Sequence, residues 1–387
     1  MTFDIIAKEL RRPTIFKNEG TLLPDYVPIN LIHREEQMRA LSRIFRIMID
    51  SPGIASQKAI LIGDVGVGKT AVAKRFGFTL ETIAKERKIN LKYIHVNCYK
   101  DRTFFLIMKR IIQTIMPGFP DRGYSAQELF HTIWNFLDNE NSYLLITLDE
   151  MDFLTEGEAP IYFLSRLSDE YLNRKQRLSL ILIVRRIESL EDLDGRTRST
   201  LLHNIVKFER YNSNQLYDIV KMRGQEALKE EAISEEVLRM IAEIAASKGD
   251  ARYALELLWR AGKYADAEGS NRILPEHVRK AQADVLQIPK NIILELPLHE
   301  RLLLLSIAIL LKKKGSAHVT MGEVEETYKV LCEEKGLEPR RHTQLWEYVQ
   351  DLKNLGVLQT KVTNMKGRTT LIGLMDISVD ALESILR

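Results

Sequence analysis

Between Ala59 and Phe208 the apolar positions come in short unbroken runs: AILIG, LKYIHVNC, YLLITLDE and LSLILIV. Stretches with helical spacing separate them, one opening at Lys69 and others falling around 104–115, 126–137 and 161–172. A strand buried on both faces needs no polar alternation, so runs of this kind joined by helices predict a parallel sheet covered on both sides. From Asn212 to about Val285 the pattern turns helical throughout. Val237, Ile241 and Ile244 share one face there, and Ala254, Leu257 and Leu258 another. Pro289 breaks the spacing in QIPKN (287–291) and predicts a linker. Beyond Leu296 we read three helices, a hairpin and a short closing helix. The first helix, 298–312, is apolar on most faces. The second turns Met321, Val324, Tyr328 and Leu331 inward, and the third, from about 342 to 355, turns Leu345, Val349 and Leu352 inward. In TKVTNMKGRTTLIGL the β-formers of 360–363 and 369–374 flank turn residues at 364–367. No repeat or low-complexity tract interrupts this order.

Composition changes the picture little. A chain of 387 residues with 45% hydrophobic content has room for two or three cores. The longest apolar run, LLLLSIAILL, is far short of the ~20 residues that cross a bilayer, which predicts a buried helix and no membrane partner. Asp4, Lys8 and Glu9 argue against a signal peptide. Two cysteines, Cys98 and Cys332, form no metal spacing and suggest a reducing, intracellular setting. With a net charge of only +3, any basic surface must be local.

Chemistry concentrates first in GDVGVGKT, Gly63 to Thr70, which follows an apolar strand and opens a helix. Glycines let backbone N–H groups turn inward on phosphate oxygens, and the helix N-terminus favours negative charge. Lys69 would reach the outer phosphates and Thr70 would hold Mg²⁺. LLITLDE then carries two carboxylates to the end of a buried strand. Asp149 can bind Mg²⁺ through water, and Glu150 can polarise a water for attack on a terminal phosphate. Either carboxylate alone is a weak signal; downstream of a phosphate loop the pair is strong.

A second concentration is basic. Residues 340–370 hold six Lys/Arg against two acids. The inward positions of the third C-terminal helix leave Arg341, Thr343, Gln344 and Glu347 to project from its first turns, as in helix-turn-helix readers. Glu323, Glu325 and Glu326 on the preceding helix would repel phosphate, so that face is expected to point away from DNA.

In this order the motifs resemble an AAA+ ATPase module followed by a winged helix. Nearly the whole chain resembles the archaeal replication initiators of the origin-recognition and Cdc6-type helicase-loader family. The resemblance rests on LPDYVPINLIHREEQMRAL, LDGRTRSTL, FERYNSNQLYDIV, GDARYALELL, LPLHERLLLL and KGRTTLI. It implies an α/β nucleotide-binding domain with an N-terminal segment (1–207), a helical lid (208–288) and a winged-helix DNA-binding domain (289–387). It implies ATP or ADP held by Gly63, Asp64, Val65, Gly66, Val67, Gly68, Lys69, Thr70 and Ala71. Tyr26, Val27, Pro28, Ile32 and Arg34 would lie near the adenine, with Tyr211 and Arg223 from the lid. Arg252 would sense the nucleotide from the lid, and Arg196 or Arg198 would act on ATP bound by a neighbouring subunit. DNA contacts fall to Lys100 and Arg102, with Lys109 beside them. On the winged helix they fall to Arg340, Arg341, Thr343, Gln344, Lys361, Lys366, Gly367, Arg368 and Thr369. Implied partners are double-stranded origin DNA, initiator paralogues and the replicative helicase, in a cytoplasmic, nucleoid-associated setting. One departure stands out. Where the family typically ends its next strand in a small polar residue that senses the γ-phosphate, LILIV runs into Arg185 and Arg186. The expectation is tight nucleotide binding with slow hydrolysis, a switch; the alternative is a nucleotide-holding DNA-binding regulator without significant ATPase activity that represses or competes at origins.

Overall fold

The apolar runs do form a sheet. The computed structural model describes residues 13–120, 123–154, 175–186, 204–285, 290–314, 318–363, 369–374 and 379–386. Its contacts divide the chain into two units, Met1–Val278 and Arg279–Arg387.

In the first unit, β1 (Lys58–Ile62), β2 (Leu91–Asn97), β3 (Tyr143–Asp149), β4 (Leu178–Val184) and β5 (Ile205–Lys207) lie in the order β2-β3-β4-β1-β5. Every pairing is parallel. Successive side chains of a strand point to opposite faces. Ile60, Leu144, Ile146 and Leu182 therefore pack with α3 (Phe104–Ile115) and α4 (Ala126–Asn139), around the buried Trp134. Leu61, Leu145, Ile181 and Ile183 pack on the other face with α1 (Glu35–Phe45) and α2 (Lys69–Glu86). β3 and β4 are buried along their whole length, which is why their sequences carry no polar alternation. Each such Leu or Ile contributes about 1.5–3 kcal/mol on leaving water. A parallel sheet brings all its carboxyl ends to one edge, where a ligand site is expected.

The lid helices follow: α5 (Ser213–Ala227), α6 (Glu235–Ala246), α7 (Ala251–Ala267) and α8 (Pro275–Val285). Asn212 and Gln215 form a reciprocal cap on α5, and Asp250 caps α7 through the Tyr253 N–H at 3.0 Å. Ile244 is only half-buried; Ala245 completes the inward stripe of α6. The boundary between the two units falls inside α8.

The second unit holds α9 (Lys290–Glu295), α10 (Leu298–Lys314), α11 (Met321–Glu334), α12 (His342–Asn354) and α13 (Val379–Leu386), with β6 (Val319–Thr320), β7 (Leu358–Thr363) and β8 (Thr369–Leu374). Leu302 to Leu305 are all buried, which accounts for the long apolar run. The antiparallel sheet has the order β6-β8-β7, with Thr363 opposite Thr369. Sequence periodicity misses the two-residue β6 and starts β7 two residues late. It also names Leu331 inward, where Leu331 is half-buried and Cys332 completes the stripe. The helix expected at 161–172 lies outside the described residues.

Candidate functional site

At the carboxyl edge of the sheet lies a cavity of about 480 Å³ within the first unit. Its floor is the loop before α2. Gly66 and Gly68 have φ of 74° and 89°, a region that glycine enters without strain. A Cβ on Gly66 would stand 1.7 Å from Asp250 Oδ1, so the loop passes directly under the N-terminus of α7. The Ala251 N–H donates to the Gly66 carbonyl at 3.1 Å. Thr70 Oγ1 donates to Asp149 Oδ2 at 2.7 Å, joining the loop to the end of β3. His95 Nε2 donates to the same oxygen at 3.1 Å, and the Glu150 N–H donates to Oδ1 at 2.9 Å. Glu150 itself sits at φ 57°, an uncommon conformation for a non-glycine residue, and lines the cavity.

Lys69 is 9% exposed, and Nζ donates to the carbonyls of Gly63 and Asp64. Burial pushes its pKa down to about 8 against the pull of Asp149, and the nearby Arg185 pushes the same way as burial. Burial would raise the pKa of Asp149, but hydrogen bonds from His95 and Thr70 more than reverse this and leave it below the usual carboxylate range. A hydroxyl and an ionised carboxylate are hard oxygen donors placed together. They suit Mg²⁺, which keeps most of its waters and takes one or two carboxylates.

The far end of the cavity is apolar. Tyr26, Val27, Pro28 and Ile32 line it, opposite Ile219, Met222, Arg223 and Trp259 of the lid. Tyr211 lines it near the loop, with burial pushing its hydroxyl up to about 12. Arg223 is buried, stacks 4.4 Å from the Tyr26 ring and donates to the Thr21 carbonyl. Preceding Tyr26, residues 14–22 run across the lid. The Lys17 N–H donates to the Ala227 carbonyl at 2.8 Å, the Ile15 N–H to Asp266 Oδ1 at 2.8 Å, and the Trp259 indole to Glu19 Oε1 at 2.8 Å.

Of the residues assigned to the nucleotide, Val65 to Ala71, Tyr26, Val27, Pro28, Ile32, Tyr211, Arg223 and Arg252 all line this cavity, as do Asp149 and Glu150. Arg34 is not among the lining residues and stands behind the loop. Its guanidinium donates to the carbonyls of Val67 at 2.9 Å, His33 at 2.8 Å and Glu209 at 2.9 Å, and lies 3.7 Å from the Tyr211 ring centre. Arg34 therefore shapes the loop from outside the cavity. Gly63 and Asp64 likewise do not line it; Asp64 pairs with Arg210 at 2.7 Å. Arg252 is exposed, and Glu256 is engaged by Arg260 at 2.8 Å. Arg185 does line the cavity, with its guanidinium 5.5 Å from the Phe153 ring centre. His95, Asp152, Met222 and Trp259 escaped the sequence reading. His95 is found only through strand register, because β2 lies beside β3. Arg196 and Arg198 lie outside the described residues.

Of the DNA candidates, Lys100 is exposed, whereas Arg102 is half-buried and donates from Nε to the Tyr99 carbonyl at 3.1 Å. In the second unit Arg340, Arg341, Thr343 and Gln344 are all exposed around the start of α12. Lys361 and Thr369 belong to β7 and β8, and Lys366, Gly367 and Arg368 lie outside the described residues. The acidic face of α11 does not turn wholly away from this surface: Glu325 Oε2 meets His342 Nδ1, at the first position of α12, at 2.8 Å. Among the described residues no helix is long and apolar enough to cross a membrane.

Phosphate loop, acidic strand, parallel sheet and helical lid define a nucleotide-binding protein of the AAA class, and residues 56–193 match the AAA domain family. Residues 217–283 match the Cdc6 AAA+ ATPase-type lid domain, and residues 291–384 the CDC6 C-terminal winged helix domain. The chain is 40% identical to ORC1-type DNA replication protein 2 of Sulfolobus acidocaldarius, over 96% of this chain and 92% of that one. It is 39% identical to the protein of the same description from Saccharolobus solfataricus, over 96% and 93%. Among solved structures, the Aeropyrum pernix ORC1 protein in complex with DNA is similar at a TM-score of 0.81 and 32% identity, covering 96% of each chain. Cdc6p from Pyrobaculum aerophilum is similar at 0.63 and 31%, covering 96% of this chain and 98% of that one. The chain belongs to the ORC1/Cdc6 family of archaeal DNA replication initiators.

Proposed function

We propose that the chain is a nucleotide-switched initiator. It holds ATP or ADP in the cavity of the first unit, hydrolyses ATP slowly and binds origin duplex DNA through α12 and the β7–β8 hairpin. The observation that carries the reading is the 2.7 Å contact between Thr70 and Asp149, which joins loop and acidic strand beside a buried lysine. Lys69 would leave its two carbonyls for the terminal phosphates, whose charge restores its preference for the ammonium form. Mg²⁺ held by Thr70 and Asp149 would screen the remaining phosphate charge. Glu150 would orient a water for in-line attack and accept its proton, leaving ADP and inorganic phosphate. Arg252 reaches the site from the lid, and Arg196 or Arg198 would complete it from a neighbouring paralogue. The Aeropyrum relative was solved on DNA, which supports the duplex as ligand. The reading extends to recruitment of the replicative helicase at the nucleoid, with the family resemblance as its support.

Arg185 favours a second reading. A cation at the end of β4 binds phosphate well but aligns water poorly, which suits a regulator that holds nucleotide without turning it over. Phosphate release with and without duplex DNA separates the two, with Glu150→Gln as control. Release that exceeds the control supports the initiator switch. Equal inertness of both proteins, with ATP demonstrably bound, eliminates the enzyme.

A further inference from the structure

His342 stands first in α12, between Arg341 and Thr343, and carries no role in the reading above. Its side chain is 65% exposed, while its partner Glu325 on α11 is 21% exposed. The ring is therefore reachable and its anchor is sheltered. Glu325 also pairs with Lys329 at 3.0 Å. Hydrogen bonds, first from His342 and then from Lys329, hold the Glu325 carboxyl below the usual carboxylate range. An ionised carboxylate only accepts hydrogen bonds. The His342 nitrogen facing it, Nδ1, must then carry the proton. In the neutral ring this leaves Nε2 as an acceptor on the exposed side. Arginine, by contrast, only donates. The exposed start of α12 thus presents both hydrogen-bonding polarities on neighbouring residues.

We propose that His342, oriented by Glu325, is a specificity-determining residue whose Nε2 accepts a hydrogen bond from the exocyclic amine of a base in the major groove. The inference rests on the reading that α12 enters that groove. Adenine N6 and cytosine N4 are the amines displayed there; guanine and thymine present carbonyl acceptors at the corresponding edge. Glu325 acts as the positioning residue, since it sets which ring nitrogen holds the proton.

The test is selection of bound sites from randomised duplex DNA by the full chain. It is run at mildly alkaline pH, about 8.5. The wild-type protein is expected to prefer adenine or cytosine at one position, and the selected base says which amine is read. His342→Ala is expected to erase that preference, a loss of about 5- to 100-fold at that position, with the salt slope unchanged. Glu325→Gln supplies an amide that can donate to Nδ1, moving the ring proton to Nε2. It is expected to turn the same position toward guanine or thymine. A merely structural pair would weaken all sequences alike and move no single position. That outcome overturns the inference, as does an unaltered profile in His342→Ala or a flat profile in the wild type. Arg341→Ala with Gln344→Ala separates the two levels. If that pair leaves affinity intact, the placement of α12 on DNA fails. If it weakens binding while His342→Ala changes nothing, only the role of His342 fails.

Discussion

Lys69 is held in a state that a bound phosphate would reverse. Its pKa is pushed down from 10.5 to about 8, first by burial. Between those values the unfolded chain keeps the proton and the folded chain does not, so the free protein gains stability as pH rises through that window. A phosphate beside Nζ favours the ammonium form, so binding takes up a proton wherever the free lysine is neutral. ADP affinity is therefore expected to fall above pH 8, by up to about tenfold per pH unit. Calorimetry at about pH 9 in two buffers of different ionisation enthalpy reads the uptake directly; no uptake there would count against Lys69 as the phosphate ligand. Arg34 makes a different prediction. Its fork reaches three carbonyls that lie far apart in sequence, and an ammonium cannot copy that geometry. Arg34→Lys is expected to cost about 2–4 kcal/mol in urea unfolding and to loosen nucleotide binding with it. A change below about 0.5 kcal/mol would show that the loop holds its shape unaided.

At the scale of elements, the proposed DNA contact of the β7–β8 hairpin rests on charge. Lys366→Ala with Arg368→Ala is expected to weaken binding across many sequences and to flatten the salt slope by about one to two units. Unchanged affinity and slope would remove the turn from the interface. Which elements were legible follows from their physics. β3 and β4 are fully buried, so their apolar runs announce them, and the glycines with Lys69 and Thr70 mark the start of α2. The two residues of β6 are too few to show a period. Arg34 is placed near the adenine by resemblance alone; its partners are backbone carbonyls, which no side-chain pattern marks. His95 reaches Asp149 only because β2 and β3 pair in a register that joins Thr147 to His95. The direction of Arg185 depended on how β4 ends, which its neighbours in sequence leave open.

For the whole molecule, the segment at residues 14–22 matters more than its length suggests. One peptide is bonded to α5, to α7 and to the apolar end of the cavity. Occupancy of the cavity and order in this peptide are therefore expected to be linked, since each would stabilise what the other needs. Bound ADP is expected to slow proteolytic cutting within 14–22 and to change the emission of Trp259, whose indole is anchored there. The comparison is between wild type and Lys69→Ala across an ADP titration. Equal cutting rates at saturating and zero ADP would sever the link. With the link intact, the peptide would serve as the protein's own fuel gauge: a protease, or any partner that needs it loose, could tell a filled molecule from an empty one without touching the nucleotide.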